Sequence, residues 1–268
     1  MRRKANMNET LKTLQSLRSI HWQFNEKPVS REDIETIVEH SLRAANSDNL
    51  TDYSVIAVTD PEILSQLTEG ESGGQALTCL VYAIDQTRII KCAEALGYDE
   101  YQPWHRLYNF FIMIADVCAA AQTAVIAAKS LGMDSLVTNF SHRHKPQEIM
   151  KLLNMPQEYC FPVIQVVLGY TDKDPQQTRG RLAMKHVLHY DRYEPASEAE
   201  VQEMIAEMDL VYPEYIGGQY KHALDWYFNE WFIEWYDEQV YQDLCDCLIH
   251  SKLLCERPGF SAEGLIRK

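Results

Sequence analysis

A chain of 268 residues with 46% hydrophobic side chains can bury a sizeable core, as one large domain or two small ones. Its formal net charge of −14 argues against nucleic acid as a partner, since that needs clustered Lys and Arg, and disfavours an anionic membrane surface. Any anionic ligand must be held by a few local cations working against that field.

No apolar run reads as long enough to span a bilayer. The start, "MRRKANMNETLKTL", has basic residues but no apolar stretch of the signal-peptide kind. Seven cysteines, an odd number, fit reduced thiols better than a disulfide framework, so the expected compartment is cytoplasmic.

In chain order, residues 8–19 read as a helix, with Leu11, Leu14 and Leu17 three apart. "SREDIETIVEHSLRAA" opens on a Ser30 cap, has acidic residues in its first turn, and carries Ile34, Ile37, Val38 and Leu42 on one face. "YSVIAV" (53–58) is a buried strand, Pro61 to Leu67 a short helix, and "ALTCLVYAID" (76–85) a second buried strand. "RIIKCAEALGY" is a short helix stopped by Gly97. Residues 106–131 form the longest helical segment, followed by strands at "DSLVTNF" (134–140) and "FPVIQVVLGYT" (161–171). After Pro195 the composition turns acidic and aromatic. The expected division is one domain of α/β (α+β) type over 1–194 and a helical extension over 195–268.

The junction "AANSDNLTDY" before the first strand concentrates Asn46, Ser47, Asp48, Asn49, Thr51 and Asp52. Turn chemistry accounts for such residues, and so would a ligand. The long helix, "IADVCAAAQTAVIAAKSLG", is apolar nearly all round, with Asp116, Gln122 and Thr123 scattered through it. It reads as a central core helix, or as a helix packed on its own copy at a two-fold interface.

Other clusters carry less. Cys245, Cys247, His250 and Cys255 lie close together, but C-x-C on a helix puts its thiols on different faces, so buried thiols are expected and no metal. His186 and His189 have strand spacing and read as structural or interfacial. No G-x-G-x-x-G opens a βαβ unit, and there is no P-loop or evident nucleophile with its base. Residues 223–244 place Leu224, Tyr227, Phe228, Trp231, Phe232, Trp235 and Tyr236 at helical spacing with acids between them, an amphipathic helix that docks on a core, on a partner subunit or over a cleft.

Four segments, in order, resemble the FMN-dependent nitroreductase family. "RSIHWQFNEKPVSREDIETIVEHSLRAA" is similar to the family's opening "R-R-S-x-R-x-F", "PV" and acidic-apolar helix, with Arg18 and Phe24 matching and Ile20 and Trp22 replacing its Ser and last Arg. The junction resembles "A-P-S-x-x-N-x-Q-P-W": Asn49 keeps the Asn, Thr51 and Asp52 replace Gln-Pro, and Tyr53 replaces Trp. The Ala-rich helix with "LGMDSLVTNF" looks like the family's helix, Gly turn and flavin-edge strand. "FPVIQVVLGYTDKDPQQTRGRLAMKHVLHYDRY" resembles its "lGyp" strand and "K-x-R" pair, here Arg179 and Arg181. The resemblance covers roughly residues 10–193.

It implies a mixed, largely antiparallel sheet flanked by helices, and a homodimer with FMN at the subunit interface. It also implies hydride transfer from NAD(P)H through flavin N5 to a nitro compound, quinone or other small acceptor. Arg18, Arg179 and Arg181 would hold the phosphate, for which forked guanidinium donors are suited, with Ser19 and Ile20 beside Arg18. Asn49 offers both a donor and an acceptor to the ring edge, and Asn46 and Ser47 would touch the ring or ribityl chain. Val137, Thr138 and Asn139 would lie on the N5 side, through backbone N–H groups of Thr138, Asn139 and Phe140. His142 and His144 follow that segment and either reach substrate or belong to a solvated loop. No catalytic side chain is required, because the cofactor carries the chemistry. A flavin-binding protein without turnover, for sensing or storage, and a flavin enzyme of other chemistry such as dehalogenation remain open readings.

Overall fold

The computed structural model describes residues 7–21, 23–68, 77–98, 107–172, 180–234 and 238–254. By contacts the chain falls into two compact units, Met1–Lys173 with Val240–Lys268, and Asp174–Gln239. This line of division differs from the compositional one at 194/195, because residues after 240 return to the first unit: Cys247, Leu248 and Leu253 join its core.

In the first unit, α1 (Glu9–Ser16) and α2 (Arg31–Ser41) precede β1 (Tyr53–Val58). Then follow α3 (Pro61–Leu67), β2 (Thr78–Asp85), α4 (Thr87–Ala95) and α5 (Leu107–Ser130). β3 (Asp134–Thr138), α6 (Phe140–His144), α7 (Pro146–Leu152) and β4 (Cys160–Gly169) complete the sheet layers. Ser30 caps α2 as expected, accepting from Asp33 N–H, and Asp60 caps α3, accepting from Glu62 and Ile63 N–H. The first helix ends at Ser16, three residues short of expectation, where the chain extends so that Ser19 pairs in parallel with Ser135. The third strand stops at Thr138, because Phe140 already opens α6. Residues 76 and 106, expected in elements, lie outside the described residues.

The sheet order is β1-β2-β4-β3, every neighbouring pair antiparallel. β2 is buried along its whole length. Leu80, Tyr82 and Ile84 face α5 and α2, while Cys79 and Val81 face a second layer with Ile20, Phe24, Leu64, Leu67 and Ile149. Between Tyr82 and Ala83 the register slips past Val163, next to Pro162. The bulge accommodates a proline that cannot donate in a central strand, and it brings Phe161 onto the same side as Val166 and Leu168.

α5 corrects one expectation. By length and composition it could cross a membrane. Here it covers the sheet with Ala120, Ala121, Ala124 and Ala128 fully buried, the small side chains giving both the apolar average and the close approach.

In the second unit, α8 (Glu198–Val211) is closed by a Ser197–Glu200 capping box. The amphipathic helix expected over 223–244 is helical at all its described residues but changes its winding. α9 (Ala223–Trp226) runs into a π turn (Tyr227–Trp231) and α10 (Phe232–Glu234), and α11 (Glu238–His250) follows. Trp235 and Tyr236 lie outside the described residues. Tyr215 stacks on Trp226 at 4.1 Å and 13°. His186 lies in a 3-10 turn, not a strand, with Nε2 3.4 Å from Glu207 Oε1.

Candidate cofactor site

Strand direction decides what shares an end of the sheet. β1 and β4 run one way, β2 and β3 the other. The end of β3 therefore points toward the end where β1 starts, but Thr138 pairs with Gln165, level with Val81 and Ile56, so β3 stops at mid-sheet, three residues short of the level of Tyr53. The two segments sit at opposite edges, three strand spacings or on the order of 14 Å apart across the sheet and about 10 Å apart along it.

The junction is built under strain. Ser47–Asn49 form a 3-10 turn. Asp48, Asn49 and Thr51 have φ of 54°, 56° and 52°. Asn and Asp tolerate the left-handed region, but for β-branched Thr51 it costs about 1–3 kcal/mol and persists only if its surroundings enforce it. They do. Ser47 N–H donates to Asp116 Oδ2 at 2.8 Å. On the other side Arg88 Nη2 donates to the carbonyls of Thr51 at 2.9 Å and Tyr53 at 2.8 Å. Asp48, Asn49 and Leu50, between these anchors, are exposed.

Beneath the junction the polar groups are incompletely satisfied. Asn46 Oδ1, Asp52 Oδ1, the Tyr53 hydroxyl and Gln86 Oε1 are buried without a hydrogen-bond partner. Burial pushes the Asp116 carboxyl above the usual carboxylate range, against the Ser47 N–H bond, and Asp48 adds to the rise. Burial, then repulsion from Asp116, does the same to Asp52. The Tyr53 hydroxyl is raised by burial and then by both carboxylates.

Of the expected phosphate ligands, Arg18 is not gathered there. Ser19 and Ile20 lie along β3, with Ile20 N–H donating to Ser135 O at 3.0 Å. Arg18 points to the far end of β3, where its Nη2 is 3.3 Å from Asp134 Oδ2. Asp134 also receives Lys129 Nζ at 2.6 Å and Thr171 Oγ1 at 3.0 Å. Burial raises this carboxyl, but Lys129, Arg18 and Thr171 outweigh it and the net shift is downward. Arg181 lies in the second unit, with Nη1 2.9 Å from Gly180 O, and Arg179 lies outside the described residues. His142 is neither solvated nor on a cleft: it is 1% exposed, and burial pushes its imidazole down to about 4 against the Pro162 carbonyl. Cys247 is a buried thiol 3.8 Å from Met150 Sδ, and Cys255 lies outside the described residues. Among the described residues no group of three His, Cys, Asp or Glu is placed to hold a metal.

No family model matches the chain. It is 27% identical over 263 residues to FMN reductase [NAD(P)H] of Bacillus subtilis, covering 96% of this chain and 100% of the relative. Its fold matches that of NfrA2 from B. megaterium with a TM-score of 0.80 at 27% identity, covering 94% of this chain and 100% of the other. With the Cr(VI) reductase of a Pseudomonas strain it shares 31% identity over 177 residues, 63% of this chain and 70% of the relative. The chain belongs to the nitroreductase family.

Two of this nitroreductase's motif residues prove to be a packing pair. A Cβ on Gly169 would lie 2.6 Å from Phe24 Cδ1, so the ring rests on bare backbone. Sequence reasoning missed Asp85, Arg88 and Asp134 altogether. The first two had a signal: an acid closing a strand and a base one turn into the next helix, three residues apart. Asp116 stood out only as a polar residue in an apolar helix.

Proposed function

We propose that this nitroreductase is an FMN-dependent NAD(P)H oxidoreductase acting on a small acceptor, a nitro compound or a quinone. The observation that carries the reading is the strained junction at the start of β1, toward which β3 also points. The family motifs assign both segments to the flavin ring. The residues there suit such a ring: Asn46 Oδ1 is buried without a partner, and Asn49 sits exposed on an enforced left-handed backbone. Asn46, Ser47 and Asn49 would meet the ring edge and ribityl chain, and the backbone of Val137, Thr138 and Asn139 the N5 side. Arg179 and Arg181 would hold the phosphate, with Ser19 and Ile20 lining the approach along β3. Arg18, paired with Asp134, would hold the fold and not the phosphate. When bound, FMN supplies the redox chemistry between NAD(P)H and the acceptor. The chain's part is to bind, orient and exclude water.

The same reading makes the protein a cytoplasmic homodimer. Tyr108 and Phe111, 71% and 65% exposed on one face of α5, support a partner surface. The test is to titrate FMN into the protein, then follow NADH and NADPH oxidation with a quinone or nitroaromatic acceptor. Bound flavin and acceptor-dependent oxidation are expected; absence of FMN binding would overturn the reading. Light scattering at micromolar protein should return a dimer mass.

A further inference from the structure

We infer that Arg88, seated by Asp85, is the positioning residue that holds the junction backbone left-handed and so presents Asn49 to the cofactor. This deepens the FMN reading above and rests on it.

Arg88 stands in the first turn of α4, immediately after β2. Its two terminal nitrogens make four bonds. Nη1 donates to Ser54 Oγ at 2.6 Å and Asp85 Oδ2 at 3.0 Å. Nη2 donates to Thr51 O at 2.9 Å and Tyr53 O at 2.8 Å. All four Nη hydrogens are thereby used, so this guanidinium is not available to fork a phosphate. Asp85 is fixed in turn: Thr87 donates to its Oδ1 through N–H at 3.0 Å and Oγ1 at 2.6 Å. Asp85 N–H donates to Asp52 O at 2.9 Å. Thus the end of β2 and the start of α4 grip the carbonyls on both sides of Asp52. No ligand of this kind is needed to pair β1 with β2, whose ladder runs unbroken from Tyr53 to Val58. What needs the grip is Thr51, whose φ of 52° a β-branched residue does not adopt unaided. Only a planar fork reaches two carbonyls and a carboxylate at once; an ammonium is a point donor.

The test compares wild type, Arg88→Lys, Thr51→Asn and the double variant. FMN affinity is read by fluorescence titration, thermal unfolding without FMN by circular dichroism, and amide exchange at residues 48–52 without FMN. Arg88→Lys is expected to bind FMN about tenfold more weakly, the equivalent of one charge-assisted bond. Exchange at 48–52 should be faster, while the unfolding midpoint moves little. Thr51→Asn, which tolerates the left-handed region, should bind as wild type does and should restore affinity and slow exchange in the double variant. Unchanged affinity and exchange in Arg88→Lys would overturn the inference. So would a loss that Thr51→Asn fails to restore, since Arg88 would then act through the fold alone. If wild type itself binds no FMN, the FMN reading and the presentation of Asn49 fall together. Exchange then reports separately whether the backbone grip exists.

Discussion

Asp134 and Asp116 are buried alike, at 6% and 7% exposure, yet their surroundings treat them in opposite ways. Asp134, where β3 begins, receives Lys129, Arg18 and Thr171 and is driven below the ordinary carboxylate value. Asp116, under the junction, receives the Ser47 N–H, lies near Asp48 and Asp52, and is driven up. The far end of the sheet is a satisfied anchor. The junction end keeps unpaired acceptors, like charges and a strained backbone. Unsatisfied groups and strain cluster where a ligand completes the structure, so the difference separates the part that holds the fold from the part that meets the cofactor.

Removing the anchor should give the largest effect. Asp134→Ala leaves Lys129 and Arg18, 18% and 15% exposed, without their carboxylate. Breaking a buried pair from one side costs about 3–5 kcal/mol. Denaturant unfolding should show that loss, and the protein that remains folded should bind FMN as before. If FMN affinity falls in proportion, the anchor is part of the site and the comparison breaks.

Gly169→Ala attacks the same end through packing. Gly169 pairs with Asp134 across β3 and β4, and Phe24 covers it. The added methyl must displace the ring, an overpacking cost of about 1–3 kcal/mol. A loss below that range would mean Phe24 swings aside freely.

Asn49→Ala probes the other end. The side chain is exposed, but Ala suits the φ of 56° less well than Asn, so stability should fall by about 1 kcal/mol and the fold should survive. FMN affinity should fall by up to about tenfold, the worth of an ordinary hydrogen bond or two. An unfolded variant would assign Asn49 to turn formation alone.

Much of the fold could be read from periodicity. β-branched runs named the strands, Ser30 and Pro61 marked helix starts, and the Ala-rich run named the helix that covers the sheet. The junction was also readable, because short polar residues stand out beside "YSVIAV". What lay hidden was pairing at a distance. Nothing local says that Arg18 turns to Asp134, 116 residues away, instead of toward a phosphate. Nor does composition reveal that Arg88 reaches back 37 residues to Thr51 O. The π turn in the aromatic helix was hidden too, since it keeps the same residues helical while shifting their faces.

The smallest effect is one of pH, and it separates the two carboxylates by sign. Asp134 has its folded value below the ordinary 3.8. Its ionised form is favoured by folding, so its contribution is fully present above 3.8 and is lost as pH falls through the lower folded value. Asp116 has its folded value above 3.8. Folding favours its proton, so ionising it costs stability as pH rises from 3.8 through the raised value. Asp134→Asn should therefore be less stable than wild type near neutrality, with the gap closing in acid. Asp116→Asn keeps an acceptor for Ser47 N–H and removes the charge that faces Asp48, Asp52 and Tyr53. It should match wild type in acid and become the more stable protein as pH rises. Denaturant midpoints for the three proteins between about pH 3 and pH 7 would show two difference curves of opposite sign. If both variants lose stability toward neutrality, Asp116 is ionised and welcome beneath the junction. The two ends of the sheet would then differ in strain alone.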